Sequence, residues 1–375
     1  MRIGIVVRIL WPAGTAKTAA IEAMYLQKMG HQVYVFFIRN STYKYAYQDL
    51  LKNVNYVVLH PDHKSTMSGL YDIVTGIFAP DRKGDGRVDY DLIKSFYNDT
   101  IDYRLDYLIC HDQWAGLAGQ VAKQQLGIPY SVFLHERLSN FGSVPILGWY
   151  ANYLERNVLS NASKIFVITN KIAESAAMKY PEYASKIEFN IHGMNFINNG
   201  SKYRDRKNKV ILVSMWDRSR HPERYIELAE KLPTYEIRML GHWRESSLKQ
   251  EFKKKLNESG VKNLTLLEGL TESELRSEYD SSKFMVRFGY GEYGIAGSFV
   301  EAVQSRTPLI INHDLGTSEI LQRMGGGKVV ETMSQAVEVV KIFDNEMEYE
   351  KLQDQLGRIS EYYSWERHVT SLLKF

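Results

Sequence analysis

The chain has 375 residues, 44% hydrophobic and 24% charged, the profile of a folded protein and not of a disordered one. At about 100–200 residues per domain this length predicts two domains. The 47 basic and 44 acidic side chains give a formal charge of +3, too balanced for a general nucleic-acid footprint. The single cysteine, Cys110, excludes an internal disulfide and fits a reducing compartment.

No stretch approaches the roughly 18–20 uninterrupted apolar residues of a membrane span. The apolar part of MRIGIVVRIL is too short for a signal peptide and reads as a first strand. A cytoplasmic protein is therefore expected, with peripheral contact at the inner membrane face as an added expectation from two apolar stretches, residues 67–78 and Val144–Leu154, the latter carrying Trp149, Tyr150 and Tyr153. Buried helix faces are the commoner fate of such stretches.

In the first half, short β-branched runs alternate with helix-length amphipathic segments. Ile3–Val7, Val33–Ile38, Tyr56–Leu59, Asp106–Cys110, Tyr130–Leu134, Lys164–Ile168 and Ile187–Ile191 read as strands. Ala16–Met29, Gln113–Gln125 and Asn170–Lys179 read as helices, with Gly30 and Gly127 where helix-ending glycines belong. Continuous apolar strands separated by helices predict a parallel sheet covered on both faces. Phe196–Lys209 interrupts the rhythm as a polar linker. The pattern then restarts with strands at Val210–Val213, Glu236–Leu240, Leu264–Leu267, Phe284–Val286 and Leu309–Ile311. A helix is predicted over Pro222–Lys231, and Thr271–Glu274 carries a capping-box signal. The fold class is thus α/β: two Rossmann-like doubly wound domains, with a cleft between the carboxyl ends of their strands.

The residues suited to chemistry fall at strand ends. Gly14 lies in the turn from the first strand to the first helix, where backbone N–H groups suit a phosphate. His111-Asp112 and His135-Glu136 end two neighbouring strands. A lone histidine there more often bonds a loop carbonyl; two on parallel strands favour a site that binds hydroxyls, donates to phosphate or moves protons. Arg218, Arg220 and His221 follow the first strand of the second half, and guanidinium forks there suit a diphosphate. Gly289, Gly291, Gly294 and Gly297 surround Glu292, and Glu301 follows on a helix. The turn Asp314–Glu319 offers Gly316, Thr317 and Ser318 to a phosphate. Asp89-Tyr90-Asp91 is an acidic pair common by chance, and the 81–91 loop lacks the ligands of a calcium loop, so no metal site is expected.

The run from Glu292 through Ile320 resembles the donor-site signature of GT-B glycosyltransferases of family 4, the glycosyl transferases group 1. Glu292, Glu301-Ala302, Thr307–Ile310 and Leu315–Ile320 follow the family's order of two glutamates, a strand and a glycine turn. Leu267–Tyr279 is similar to its nucleotide-base loop and helix, Tyr363–Arg367 to its C-terminal Phe-Ser-Trp-Glu, and His111-Asp112 with Gly127–Pro129 to its first domain. Two departures stand out: eight residues, not seven, separate Glu292 from Glu301, and Ser214-Met215 replace a Gly-Arg pair.

The resemblance implies a retaining, metal-independent transfer of a hexose from a UDP- or GDP-linked nucleotide sugar, with no cofactor, to a glycan, lipid-linked or small-molecule acceptor. It implies an acceptor-side domain over 1–197, a nucleotide-sugar domain over 198–358, and a C-terminal helix over 359–375 packing back on the first domain. His135, Glu292 and His111 are the expected catalytic residues. Gly14, Arg218, Arg220, Gly269, Leu270, Glu301, Gly316, Thr317 and Ser318 are expected to hold the donor. Two alternatives remain open: a sugar-nucleotide epimerase on the same fold, and a non-catalytic donor-binding paralogue.

Overall fold

A computed structural model describes residues 1–10, 14–40, 48–61, 93–138, 147–194 and 200–374. Readings on the 67–78 stretch, on the acidic loop at 81–91, on Val144–Ile146 and on most of the linker start lie outside the described residues. The chain forms two compact units, one of residues 1–192 with 365–375 and one of residues 193–364.

The first unit is built on seven strands: β1 (Arg2–Leu10), β2 (Gln32–Asn40), β3 (Asn55–His60), β4 (Tyr107–His111), β5 (Tyr130–Leu134), β6 (Lys164–Val167) and β7 (Ile187–Phe189). All pair in parallel, in the order β3-β2-β1-β4-β5-β6-β7. Every residue of β4 and β5 is buried, as strands covered on both faces require. Its helices are α1 (Gly14–Lys28), α2 (Gln48–Leu51), α3 (Phe96–Thr100), α4 (Gly116–Leu126), α5 (Leu147–Asn161) and α6 (Asn170–Lys179). Ala16, Ala19, Ala20, Ala23 and Leu26 form the buried stripe of α1, and Glu22 lies within it with no exposure at all. Gly127 ends α4 in the left-handed region at φ +72°, donating to the Lys123 carbonyl, as expected.

The predicted helix over Gln113–Gln125 starts late, at Gly116. The Asp112 carboxylate accepts from the N–H groups of Trp114 and Ala115, 2.7 Å each, and holds the preceding residues in a turn. On α5, Trp149 and Tyr153 are exposed and stack at 5.9 Å, whereas the expectation for that stretch was a buried face. No helix among the described residues is long and apolar enough to cross a membrane.

The second unit has six strands: β8 (Lys207–Val213), β9 (Glu236–Leu240), β10 (Leu264–Leu267), β11 (Ser282–Arg287), β12 (Leu309–Asn312) and β13 (Gly327–Val330). They are parallel, in the order β10-β9-β8-β11-β12-β13. Its helices are α7 (Arg224–Lys231), α8 (Ser246–Ser259), α9 (Glu272–Ser281), α10 (Gly297–Gln304), α11 (Ser318–Met324), α12 (Met333–Phe343) and α13 (Glu346–Tyr362). The predicted capping box opens α9: Thr271 accepts from the Glu274 N–H and the Glu274 carboxylate from the Thr271 N–H. Helix α7 starts two residues later than predicted, because His221 turns left-handed at φ +46° and Pro222 closes a turn with Tyr225. The last helix, α14 (Trp365–Leu372), belongs to the first unit and packs on α1, where Trp365 stacks on Tyr25 at 6.1 Å.

In each sheet the strand order reverses once, between β1 and β4 and between β8 and β11. Ligands of doubly wound sheets bind beyond the carboxyl ends of the strands at such a reversal.

Arg206, just before β8, is buried and donates to the carbonyls of Ser201, Tyr279, Ser282, Ser305 and Arg306 and to the Thr307 hydroxyl. Carbonyl dipoles replace its water shell, and the guanidinium clasps the 305–307 turn to the base of the sheet. Arg206→Leu strands these acceptors and is expected to cost about 3–5 kcal/mol, read as a lower urea midpoint of the second unit.

Candidate functional site

The carboxyl edge of the first sheet carries a buried imidazole cluster. His111 ends β4 and His135 follows β5; register pairs His111 with Phe133 on the neighbouring strand, which brings the two rings together. His111 Nδ1 lies 2.8 Å from His135 Nε2. His111 Nε2 lies 2.7 Å from Glu22 Oε2, and the other carboxylate oxygen lies 2.7 Å from His368 Nε2 on α14. His368 Nδ1 lies 2.7 Å from Asn190 Oδ1, while Asn190 Nδ2 donates to the His368 carbonyl at 3.2 Å. His192 stacks between Phe133 and His135, both at 5.1 Å, and its Nδ1 is buried without a hydrogen-bond partner among the described residues.

The electrostatics follow from that geometry. Burial alone would raise the Glu22 carboxyl, but the charge of His111 and hydrogen bonds from His111 and His368 outweigh it and hold the group well below its usual range. Burial, reinforced by the neighbouring imidazoles His111 and His192, holds His135 well below 6.5. Burial and the charge of His368 bring His192 down to about 3. Glu22, His192 and His368 each bring a ligand-type atom within 4.8 Å of the others. The 2.7 Å contact between Glu22 and His368 is a hydrogen-bond length, shorter than the gap between two ligands of one cation, so the group reads as a proton network.

Asp112 takes a structural part. It holds φ +85° and caps the turn into α4, and burial raises its carboxyl. Gly14 opens α1, and a Cβ added there would meet no described atom within 4 Å.

The carboxyl edge of the second sheet carries a charged cluster around Glu292. Arg220, from the turn after β8, and Arg287, the last residue of β11, both pair with its carboxylate. All three side chains are largely buried. The loop holding Glu292 is fixed by Asn312 at the end of β12, which accepts from the Gly289 N–H at 2.9 Å and donates to the Gly289 carbonyl at 2.8 Å. Gly289 must lack a side chain, since a Cβ there would collide with the Glu292 carboxylate and Leu315. The Gly316 N–H donates to the Glu292 carbonyl at 2.8 Å and ties this loop to the turn before α11.

Not every residue expected from the sequence joins this group. Arg218 points to α8, where its guanidinium meets Glu251 at 3.1 Å and Glu245 at 3.4 Å, and its side chain is 58% exposed. The N–H groups of Gly316 and Ser318 are spent on the Glu292 and Leu315 carbonyls, and the Ser318 hydroxyl on the His313 carbonyl. At this turn Thr317 remains: its hydroxyl oxygen is buried without a partner among the described residues. Gly269 and Leu270 follow β10, and Glu301 lies half-buried on α10.

Sequence reasoning missed Glu22, Asn190, His192, Arg287, Asn312 and His368. Two carried a signal. Glu22 is an acid inside the small-residue stripe of α1, and His368 lies with Trp365, Val369 and Leu372 on the buried face of α14.

Residues 13–184 match the family described as glycosyl transferase 4-like domain. Sucrose-phosphate synthase from Thermosynechococcus elongatus superposes with a TM-score of 0.75 at 12% identity, over 99% of this chain and 97% of that one. The HepE protein of Anabaena, solved in complex with UDP-glucose, gives 0.74 at 12% identity over 99% and 98%. A glycosyltransferase from Rickettsia africae gives 0.71 at 14% identity over 100% and 97%. Comparison by sequence with curated proteins finds no match. The fold is therefore that of the GT-B class. Residues 13–184 thus resemble a glycosyl transferase 4-like domain, set on that fold.

The buried imidazoles make the first unit sensitive to acid. His192 stays neutral when folded down to about pH 3, whereas the unfolded chain binds its proton near pH 6.5. Stability therefore rises with pH across that window, by on the order of 1 kcal/mol per pH unit from this group. Glu22 works further down: its contribution is present above about pH 4.5 and is lost below it. His192→Phe, which keeps the stack on Phe133, is expected to shrink the stability difference between pH 7.5 and pH 5 seen in denaturant titrations.

Proposed function

We propose that the protein is a retaining hexosyltransferase using a UDP- or GDP-linked sugar, with the donor held by the second unit and the acceptor hydroxyl served by the first. The observation that carries this reading is the Arg220–Glu292–Arg287 group. Two guanidiniums meet one carboxylate in a largely buried group at the reversal of strand order. A diphosphate matches such guanidinium forks in charge and in its paired oxygens. The complexes of the HepE protein with UDP and UDP-glucose support a uridine nucleotide as donor.

In this reading the Thr317 hydroxyl and Gly14 also meet phosphate, the Gly269-Leu270 backbone meets the base, and Glu301 the ribose. Glu292 holds Arg220 and Arg287 in place. A carboxylate has about four acceptor sites, so Glu292 keeps capacity for sugar hydroxyls. The bond between the anomeric carbon and the diphosphate oxygen breaks, and the negative charge it leaves is met by guanidiniums fixed in advance. The acceptor oxygen bonds the same face of the anomeric carbon, and its proton passes to the leaving phosphate. His111 and His135 orient hydroxyls, and no metal is given a role. The acceptor is a glycan, a lipid-linked sugar or a small molecule, and contact with a membrane surface is part of the proposal through exposed Trp149 and Tyr153.

Two measurements test this. UDP-glucose is expected to raise the melting temperature, as a ligand of the native state must; a panel of UDP- and GDP-sugars that leaves it unchanged sinks the donor reading. Arg220→Ala is expected to lower kcat/KM for the nucleotide sugar by about a hundredfold, about 2.7 kcal/mol at the transition state. Arg218→Ala, whose partners lie on α8, is expected to change it less than about threefold. Equal losses for the two variants contradict the assignment.

A further inference from the structure

We infer that Tyr225 and Asn312 are positioning residues that together grip Phe288 and Gly289, one from α7 and one from β12, and so assemble the Arg220–Glu292–Arg287 group before any ligand arrives. This deepens the proposed function, on which the use of that group rests, while the grip itself belongs to the ligand-free chain.

Arg287 closes β11, and the loop that follows brings Glu292 back against it. Gly289 and Gly291 make that loop pliable, and Gly291 takes the left-handed region at φ +67°. Consecutive residues between the two partners are held from outside the loop. The Phe288 N–H donates to the Tyr225 phenol oxygen at 2.9 Å. The Gly289 N–H and carbonyl both bond the Asn312 amide, at 2.9 and 2.8 Å. Arg224, beside Tyr225 on α7, donates to the Tyr290 hydroxyl, and its guanidinium lies 5.3 Å from the centre of that ring.

Both gripping side chains are fixed in their turn. Tyr225 is buried, with its ring edge-on to Trp216 at 5.6 Å. Burial pushes its phenol up to about 12, against the pull of the Phe288 N–H and of the nearby Arg287 and Arg220 charges, so it keeps its proton at neutral pH. Asn312 is buried at the end of β12 and spends its amide oxygen and nitrogen on one glycine, which sets the place and the rotation of that residue together. Loss of either partner leaves a buried backbone group unmet, so the stretch must shift to find another.

The grip reaches the site by contact. A Cβ on Gly289 would collide with the Glu292 carboxylate, so the carboxylate lies directly on the glycine and a shift of one is passed to the other. Arg220 reaches Glu292 from the turn that runs into α7. The same segment thus supplies a member of the group and a hold on its loop. Fixed donors stabilise developing charge without reorganising, and a displacement of about 1 Å can cost on the order of a hundredfold in rate.

The first test is amide hydrogen exchange, resolved by residue in NMR on deuterated, full-length, ligand-free protein. Phe288 and Gly289 are expected to exchange at least about a hundredfold more slowly than exposed Gly291. Tyr225→Phe keeps the ring on Trp216 and removes only the oxygen. It is expected to speed exchange at both Phe288 and Gly289 by at least about tenfold, and Asn312→Ala to do the same at both. Fast exchange at either amide in the wild type overturns the inference. So does acceleration confined, in each variant, to the amide that lost its own partner. The second test is turnover of the UDP- or GDP-sugar that the wild type uses. Each variant is expected to lower kcat at least about tenfold with KM changing less than about threefold, because a bound diphosphate can follow a displaced arginine and the transition state cannot. The double variant is expected to lose no more than about threefold beyond the weaker single one, since both act on one stretch. Losses that multiply, or an unchanged kcat in either variant, overturn the positioning role. Should Asn312→Ala fail to fold, the wild type and Tyr225→Phe decide. A wild type that turns over no UDP- or GDP-sugar sinks the donor reading, and the exchange pattern, which needs no ligand, then judges the grip by itself.

Discussion

A carboxylate that water does not reach must find donors for both of its oxygens inside the protein, and Glu22 sets the first unit around that requirement. Its partners are His111 at the end of a central strand and His368 near the C-terminus. Neither contact is local. The bond to His368 spans 346 positions of sequence and is one reason the last helix belongs to the first unit. Removing any one partner would leave a buried donor or acceptor unmet, which costs more than the bond itself contributes. The polar network is therefore a constraint on how the strand ends, the first helix and the last helix meet, beyond the apolar packing beneath them.

The second unit meets the same problem with the charges inverted. Glu292 pairs with both Arg220 and Arg287. Its loop is glycine-rich, and such a backbone would wander without tethers. The two-way bond between Asn312 and Gly289 and the bond from Gly316 to the Glu292 carbonyl supply them. The cost falls on the turn before α11: N–H groups that would otherwise be open to a phosphate are used to hold the loop.

Much of the architecture was legible in the sequence because parallel strands buried on both faces must be short, apolar and continuous. Tyr130–Leu134, Glu236–Leu240 and Leu264–Leu267 were placed residue for residue. His111 and His135 were legible as neighbours because each ends a strand on the same edge. Their anchor was not. A glutamate on a helix is usually solvated, and only its place inside an alanine stripe marks Glu22 as buried. Arg218 and Arg220 were indistinguishable as two arginines in one turn. What separates them is the carboxylates of Glu245, just before α8, and Glu251 on α8, contacts that no local pattern encodes. Arg287 was hidden for another reason: as the last residue of a strand, it reads as the point where the apolar run stops.

The two sheets share an order of strands yet end in opposite chemistry, and the difference lies in which side chains follow the central strands. In the first unit, the central strands lead to the Gly14 turn and to His111, and the buried Glu22 carboxylate meets His111 and His368. His135 and His192 stand beside them, and burial holds both neutral. In the second, the central strands lead to Arg220 and Arg287, and Glu292 pairs with both. In the proposed reading this group meets the diphosphate. A transfer between a phosphate-linked donor and a hydroxyl acceptor needs both environments, and they oppose each other electrostatically. For such a transfer, guanidiniums already held by Glu292 would meet the departing diphosphate without reorganising as its charge develops, which is where fixed donors contribute most.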